Sequence, residues 1–466
     1  MATTAISPQR VPLWQSLKEA IRGNHHDFTQ GSISRAVILL ATPMVLEMLM
    51  ESLFAIVNVF WVTRLGSDAV ATVGLTESMM TLVFSIAIGI SMSTTAMVAR
   101  RTGEKDPRGA AVSAMQAILL GSAIAIAIGI PSYFFAPKLL GFMAAPQAVI
   151  EQGRHYTAIM LGSSLVVMLL FLNNAIFRGA GDAFIAMRVL WISNLINLVL
   201  DPILIFGAGL GLTGASLSTL TGRSIGVLLQ LWVLFRGGSR VRILPSDIRI
   251  VPSVLKSLIR VSVTGVLQFA IGHSSWILLV RMISSFGSVA VAGYTIGIRI
   301  FIFVVLPSWG LSGAAATMVG QNLGAKKPER ASKAVWLTAT YNAVFLGVMA
   351  MVFIFIPSVL VNIFTTDPEI TRYAVDCLRI IGYGNVAYAF GMVMSQAFNG
   401  AGDTITPTLI NLVGFWLCEI PLAWALAYPG GMQVQGVFYS IPAAHVLITL
   451  MAVTMFLRGK WKTRRI

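Results

Sequence analysis

The sequence predicts an all-α polytopic membrane protein, with twelve transmembrane helices in two six-helix lobes that repeat in parallel. Three observations carry that reading. The 466-residue chain is 56% hydrophobic and only 11% charged, with mean hydropathy +0.81, whereas a soluble domain carries roughly 25% charged residues. Apolar windows recur along its whole length, each near or beyond the ~20 residues a helix needs to cross a bilayer. Shifted by 221 residues, the chain also aligns with itself: Phe177-Arg178-Gly179-Ala180-Gly181-Asp182 falls on Phe398-Asn399-Gly400-Ala401-Gly402-Asp403, Gly66 on Gly287, Gly103 on Gly324 and Lys105 on Lys326.

The elements follow in order. Residues 1–34 form a polar tail with no apolar core of the kind a cleavable signal has, and Leu13 to Ile21 reads as a short amphipathic helix on the inner membrane surface. Six windows then make an N-lobe over residues 35–236: 36–63, 70–98, 109–135, 155–177, 186–207 and 212–235. A basic linker with Pro245 and Pro252, residues 237–256, separates it from a C-lobe over 257–457. The C-lobe windows are 257–283, 289–319, 331–361, 374–398, 405–428 and 434–457, and a basic tail, 458–466, closes the chain. These runs are continuous rather than alternating, so helices fit and strands do not. Six spans per copy keep both copies in one orientation, related by an axis along the membrane normal.

Loop chemistry supports the same boundaries. The loop after the second span of each half turns on Gly and Pro, and the loop after the fourth is Gly-Ala-Gly-Asp in both. Asp182 and Asp403 are expected to cap loops and the helices that follow rather than to bind a substrate. Pro43, Pro202, Pro307 and Pro421 interrupt spans and predict kinks.

A net charge of +15 does not point to nucleic acid, because the cations are distributed by side. With the N-terminus inside, the inner loops and tails hold Arg10, Lys18, Arg22, Arg35, Arg100, Arg101, Arg178, Arg240, Lys326, Lys327, Arg330 and Arg465 among others. The outer loops and helix ends hold only Arg64, Lys138, Arg154, Arg372 and Arg379. That is the positive-inside asymmetry. It places both termini in the cytoplasm of a bacterium whose inner membrane the protein crosses. Cys377 and Cys418 lie in or beside spans and lack the spacing of a metal or redox motif.

Few ionisable groups fall inside the spans, and such groups mark an ion or proton path by default. Glu47 and Glu51 lie in the first span, Glu77 in the second, Asp201 in the fifth and Glu419 in the eleventh. Four of these five are in the N-lobe, which predicts asymmetric coupling chemistry on a duplicated scaffold. Glu47, Glu51 and Asn58 share one helix face at 100° per residue, and so do Asn194, Asn197 and Asp201. Carboxylates and amides converging out of water can exchange a proton or hold Na⁺ through oxygen ligands. The readings for Glu47 are a coupling group or a wet residue at the inner headgroup boundary. In the C-lobe, Gln268 stands where Glu47 maps, and Glu419 comes near the place of Asp201 if a small gap is allowed. Asn194, Glu77 and Glu419 are therefore secondary candidates. Arg223, Arg281 and Arg299 are the remaining span cations.

These residues together resemble the multidrug and toxic compound extrusion (MATE) transporters. The resemblance rests on Arg64-Leu65-Gly66, Asn197-Leu198-Val199-Leu200-Asp201-Pro202, Gly214-Ala215-Ser216-Leu217-Ser218-Thr219 and the twin Gly-Ala-Gly-Asp loops, and it covers the chain after residue 34. It implies a V-shaped pair of lobes that alternate access and export cationic or amphipathic small molecules in exchange for H⁺ or Na⁺. No other cofactor and no resident metal are expected, nor any nucleic-acid partner, and the protein is expected to be a monomer in the bilayer. Within the family it is most similar to the prokaryotic branch with its ion site in the N-lobe, where Asp201, Asn197 and Thr219 are matching positions. The first-span Asp usual in that branch is Asn58 here, and Glu51 on the same face is the candidate to compensate. The seventh-span acid of another branch is missing, which argues against a C-lobe site. Competing readings are a lipid-linked sugar flippase of the same superfamily and, in a different class, a membrane enzyme or non-transporting scaffold. An enzyme would need a convergent catalytic set, and the sequence offers none.

Overall fold

In the computed structural model, residues 13–23 and 26–464 are described; Arg10, Arg465 and the rest of the tail before Leu13 lie outside the described residues. A short helix α1 (Leu13–Arg22) precedes the first lobe, which contains α2 (Ile33–Thr63), α3 (Ser67–Gly103), α4 (Pro107–Phe142), α5 (Gln147–Gly162), α6 (Ser164–Ala180), α7 (Ala183–Pro202) and α8 (Gly211–Arg236). The second lobe contains α9 (Pro252–Ser284), α10 (Ser288–Gly324), α11 (Pro328–Phe355), α12 (Pro357–Val361), α13 (Pro368–Gly382), α14 (Asn385–Gly400), α15 (Ile405–Asn411), α16 (Ile420–Ala427) and α17 (Gln433–Leu457). Among the described residues, eleven helices are long and apolar enough to span a membrane. The pair Pro368–Gly382 and Asn385–Gly400, bent by 58°, makes a twelfth. The fourth and tenth spans begin earlier than their hydropathy windows because their first turns are amphipathic: α5 opens with Glu151, Gln152 and Arg154, and α13 with Glu369 and Arg372.

Local chemistry sets the helix starts. Asp106 accepts from the Gly109 amide at 2.8 Å ahead of Pro107, and Asp367 accepts from the amides of Glu369 and Ile370 ahead of Pro368. A side-chain acceptor satisfies donors that have no partner within the helix, and Pro at the first position gives up none. The repeat extends to backbone torsions. Lys105 and Lys326 both sit in the left-handed region, at φ 58° and 57°. Gly181 and Gly402 do the same at φ 88° and 79°, and Gly66 and Gly287 open α3 and α10 at φ 99° and 106°.

Asp182 and Asp403 do not cap their helices. Asp182 accepts from the Ser239 hydroxyl at 2.8 Å and the Arg240 amide at 2.7 Å. Asp403 accepts from Thr406 at 2.7 Å and pairs with Arg464 at 3.4 Å. Each holds the chain leaving the last helix of its own lobe, Asp182 through the Arg240 amide and guanidinium and Asp403 through the Arg464 guanidinium. Pro202 is followed by a π-helical turn, Ile203–Gly207, and Pro421 is preceded by another, Leu412–Glu419, as expected where a proline interrupts the i→i−4 ladder.

The two lobes touch at one end only. The first half of α2 packs on the last half of α10, and the last half of α3 on the first half of α9. Glycines let these backbones approach: a Cβ on Gly310 would lie 2.5 Å from the Met44 carbonyl oxygen, and one on Gly103 would lie 2.0 Å from that of Gln321. Small residues drive this kind of close helix packing in membranes. Ser93 and Ser262 share a 2.7 Å hydrogen bond there, Thr317 donates to the Arg178 carbonyl at 3.0 Å, and Gln321 donates to that of Gly179 at 2.9 Å. Beyond Glu47, α2 buries only Ser52 and Val62. The lobes close around the end that carries the N-terminus and part toward the other.

Candidate functional site

The amide and carboxylate stripe of α7 faces α8, and all three of its members, Asn194, Asn197 and Asp201, are buried. Gly222 makes the approach possible, since a Cβ there would stand 2.7 Å from the Ser193 carbonyl oxygen. The Asn197 amide donates to the Thr219 hydroxyl at 3.1 Å, and the Ser218 hydroxyl donates to the Asn197 carbonyl at 3.1 Å. Asp201 interacts with Ser218 as well. Two oxygens are left over: Oδ1 of Asp201, a residue 1% exposed, and Oδ1 of Asn197 have no hydrogen-bond partner among the described residues. Buried polar atoms are nearly always satisfied, so oxygens left free on one helix face fit a ligand that is a proton or a small hard cation.

The other predicted groups divide. Glu51 reaches the same cluster from α2: Asn194 donates to its carboxylate at 3.4 Å, and Arg223 of α8 lies 3.9 Å from its other oxygen. Asn58, two turns further along, is half-buried and bonds to nothing among the described residues. Glu47 is neither wet nor part of the Asp201 cluster. It is fully buried and pairs with Arg178 of α6 through two nitrogens, with Asn174 donating at 3.2 Å and Gln230 of α8 donating on to Asn174 at 2.6 Å. Arg178, read from the sequence as an inner-loop cation, thus sits on the last turn of α6 and neutralises Glu47. Glu77, exposed on α3, interacts across the divide with Arg299 on α10.

Glu419 differs from the sequence alignment in place. Trp191 donates its indole N–H to the Leu46 carbonyl and Trp416 to that of Ile271, both at 3.2 Å, and the two contacts are 225 residues apart. On that spacing Glu419 answers to Asn194 and not to Asp201. It is buried and accepts from Ser275 of α9 at 2.8 Å. The two histidines within the second lobe's spans are packed on aromatic rings: His273 lies between Phe269 and Trp276, and His445 stacks on Tyr388 at 4.2 Å.

Sequence reasoning missed Tyr156 of α5, which is buried and interacts with Asp201, Glu77 and Arg223. It also missed Ser218, which sits inside a quoted motif without having been singled out. The only signal for Tyr156 was a lone phenol in an apolar span, which by itself does not separate a site residue from packing.

A duplicated helical bundle, closed at one end and carrying a buried carboxylate oxygen without a partner among the described residues in its first lobe, defines a membrane transporter with two repeat-related halves. The MatE profile matches residues 43–203 and 266–425, one stretch in each lobe. The chain belongs to the MATE family, whose members are transporters and not enzymes. It is 25% identical to a probable multidrug resistance protein NorM of Thermotoga maritima, over 93% of this chain and 94% of that one. It is 23% identical to an FAD transporter of Shewanella oneidensis, over 91% and 94%. A solved structure of a multidrug resistance MATE family transporter in its outward-facing conformation superposes with a TM-score of 0.86 at 24% identity, covering 93% of this chain and 96% of that one.

Proposed function

We propose that the protein is a secondary active antiporter that exports cationic or amphipathic small molecules across a bacterial cytoplasmic membrane in exchange for H⁺ or Na⁺. The observation that carries this reading is the pair of unpartnered oxygens on Asp201 and Asn197, held against Thr219 and Ser218 inside the first lobe. A carboxylate there that gains a proton or Na⁺ loses its charge, and charge lost inside a low-dielectric lobe changes the packing of α7 on α8 and α2. Glu51, bonded to Asn194 at the edge of the cluster, gives the ion a route from the parted side and takes the place of the acid missing at Asn58. Pro202 and the π-helical turn after it give α7 a place to bend. Both termini face the cytoplasm in this reading, so the closed end is the inner one and the parted end receives the departing substrate. The protein acts as a monomer.

The names of the relatives support a small-molecule cargo, and one of them widens its chemistry. A flavin nucleotide is anionic, and Arg299 on the parted half of α10, with Arg223 beside Glu51, offers positive charge to such a cargo. The test is flux in liposomes containing the purified protein. Ethidium should move when ΔpH or a Na⁺ gradient is imposed, and H⁺ alone and Na⁺ alone should be run separately. FAD belongs in the same panel. Absence of gradient-dependent flux across a broad set of cations and FAD would overturn the exporter reading.

A further inference from the structure

The segment before α2 is built in two parts. The exposed face of α1 carries Trp14, Lys18, Ile21 and Arg22, with Trp14 68% and Ile21 45% exposed and the Lys18 ammonium 5.7 Å above the indole. Its opposite face buries Ser16 and Ala20 and turns Glu19 onto Arg35 at 2.6 Å. Arg188 of α7 donates to the carbonyls of Ile21 and Arg22, at 3.0 and 2.9 Å, which fastens the end of α1 beside the start of a spanning helix. Further along α7, Trp191, Ile192 and Leu195 are exposed apolar side chains on a spanning helix. The helix therefore lies where the apolar belt begins, with an indole and an isoleucine flanked by cations. That is the composition of a helix lying in the plane of an anionic headgroup layer.

The second part is a strap, residues 26–31, lying across the ends of both lobes. On the first lobe's side, Arg240 of the segment after α8 donates to the His26 carbonyl, and the Phe28 ring is buried against Gly181. From the second lobe, Lys327 donates to the Thr29 carbonyl at 2.9 Å, and Arg330 donates to the carbonyls of Gln30 at 2.6 Å, Gly31 at 2.8 Å and Phe28 at 3.3 Å. The lobes cannot separate at this end while Lys327 and Arg330 keep these carbonyls, because the strap continues directly into α2 of the first lobe.

We propose that α1 and the strap form a lipid-seated latch: α1 docks on anionic phospholipid headgroups and so holds the strap across the closed ends of the two lobes. This rests on the reading that the lobes part at that end during transport, and the experiment below reads the parting itself and not flux. Spin labels on Arg108→Cys of α4 and Lys333→Cys of α11, both exposed, report the distance between the lobes once Cys418 is replaced by Ser. Measurements are made in nanodiscs of phosphatidylcholine with and without phosphatidylglycerol.

The parent protein should hold the short distance with phosphatidylglycerol and gain a longer-distance population without it. Lys327→Ala with Arg330→Ala should gain that population in both lipids, and Trp14→Ala with Lys18→Ala and Arg22→Ala should gain it even with phosphatidylglycerol. Should the double alanine variant fail to fold, Lys327→Met with Arg330→Met retains the stems. A distribution unchanged by loss of both second-lobe cations overturns the latch. A response to those cations without any response to lipid or to the α1 variant overturns the lipid seat. Loss of flux with these distance changes intact would count against the exporter reading alone.

Discussion

Asn194 on α7 donates to Glu51 on α2 at 3.4 Å, and the matching contact in the second lobe has its parts exchanged. There the acid, Glu419, is on the fifth-span counterpart, and the hydroxyl, Ser275, is on the first-span counterpart at 2.8 Å. Duplication has preserved the place where these two helices touch and not the chemistry placed there. The first lobe adds Asp201 and Asn197 beyond this contact. In the second lobe, Glu419 and Ser275 satisfy one another.

Asp201→Asn is expected to leave folding and substrate binding in place and to remove the effect of an imposed ion gradient, a loss of about 5–150-fold for a coupling of ordinary size. Glu51→Gln, half-exposed and with Arg223 alongside, should reduce gradient-driven flux less than about tenfold, or under 1.4 kcal/mol. Normal coupled flux in the Asp201 variant would move the ion site elsewhere.

Arg178→Ala strands Glu47, whose charge has no other cation paired with it among the described residues in its buried network with Asn174 and Gln230. Leaving one buried charge unpaired costs about 3–5 kcal/mol, so the purified variant should show a clearly lower melting temperature. Glu47→Gln combined with Arg178→Met should recover most of that loss. Equal melting temperatures for the single and double variants would mean the pair does not act as a unit.

Gly310→Val places side-chain carbon against the Met44 carbonyl, and Gly103→Ala does the same against Gln321. Gly310, Met44 and Gln321 are internal to long helices, and Gly103 closes α3 directly against one of them, so each variant should lengthen the distance between the lobes at the closed end, read with the labels on Arg108→Cys and Lys333→Cys. Gly272→Ala is the control, because its nearest neighbour, the Phe415 ring, would lie 3.6 Å away. Equal behaviour of all three would show that close approach does not set the closure.

Asp27 lies outside the spanning helices, and its pH response can be worked out. Burial alone would raise its pKa, but hydrogen bonds from the Thr29 hydroxyl and amide, with Lys105 and Arg240 nearby, hold its carboxyl below its ordinary value of 3.8. A depressed folded pKa gives stabilisation that is present above the unfolded value and lost as pH falls through the folded one, so the contribution of Asp27 to the strap should not change between about pH 5 and 8. Asp27→Asn should weaken lobe closure equally across that range in the spin-label measurement. A parent protein that opens at about pH 6 would point to another titrating group.

Much of the architecture was legible in the chain because its causes are local. Hydropathy marks a span wherever a helix must satisfy its own backbone in lipid, and the repeat carried the loop torsions of Lys105 and Lys326 with it. The face shared by Asn194, Asn197 and Asp201 followed from the period of one helix. The same periodicity placed Glu47 and Glu51 on one stripe of α2, yet the stripe serves two clusters because Arg178 and Asn174 of α6 reach Glu47 while Asn194 of α7 reaches Glu51. The aspartates of the twin Gly-Ala-Gly-Asp loops looked like caps, but apart from Thr406 their donors, Ser239, Arg240 and Arg464, lie far along the chain.

By itself the sequence determined the helices, their number, the duplication and the lobe that holds most of the buried acids, since each is a property of residues near one another in the chain or one repeat apart. Only the tertiary structure decided which acids are neutralised. Arg178 reaches Glu47, while Asp201 keeps a free oxygen. It also equated Glu419 with Asn194, and drew the N-terminal strap across both lobes. The physical reason is the same in each case: a charge inside a bilayer is governed by the side chains that meet it from other helices, and which helices meet is decided by packing of the whole.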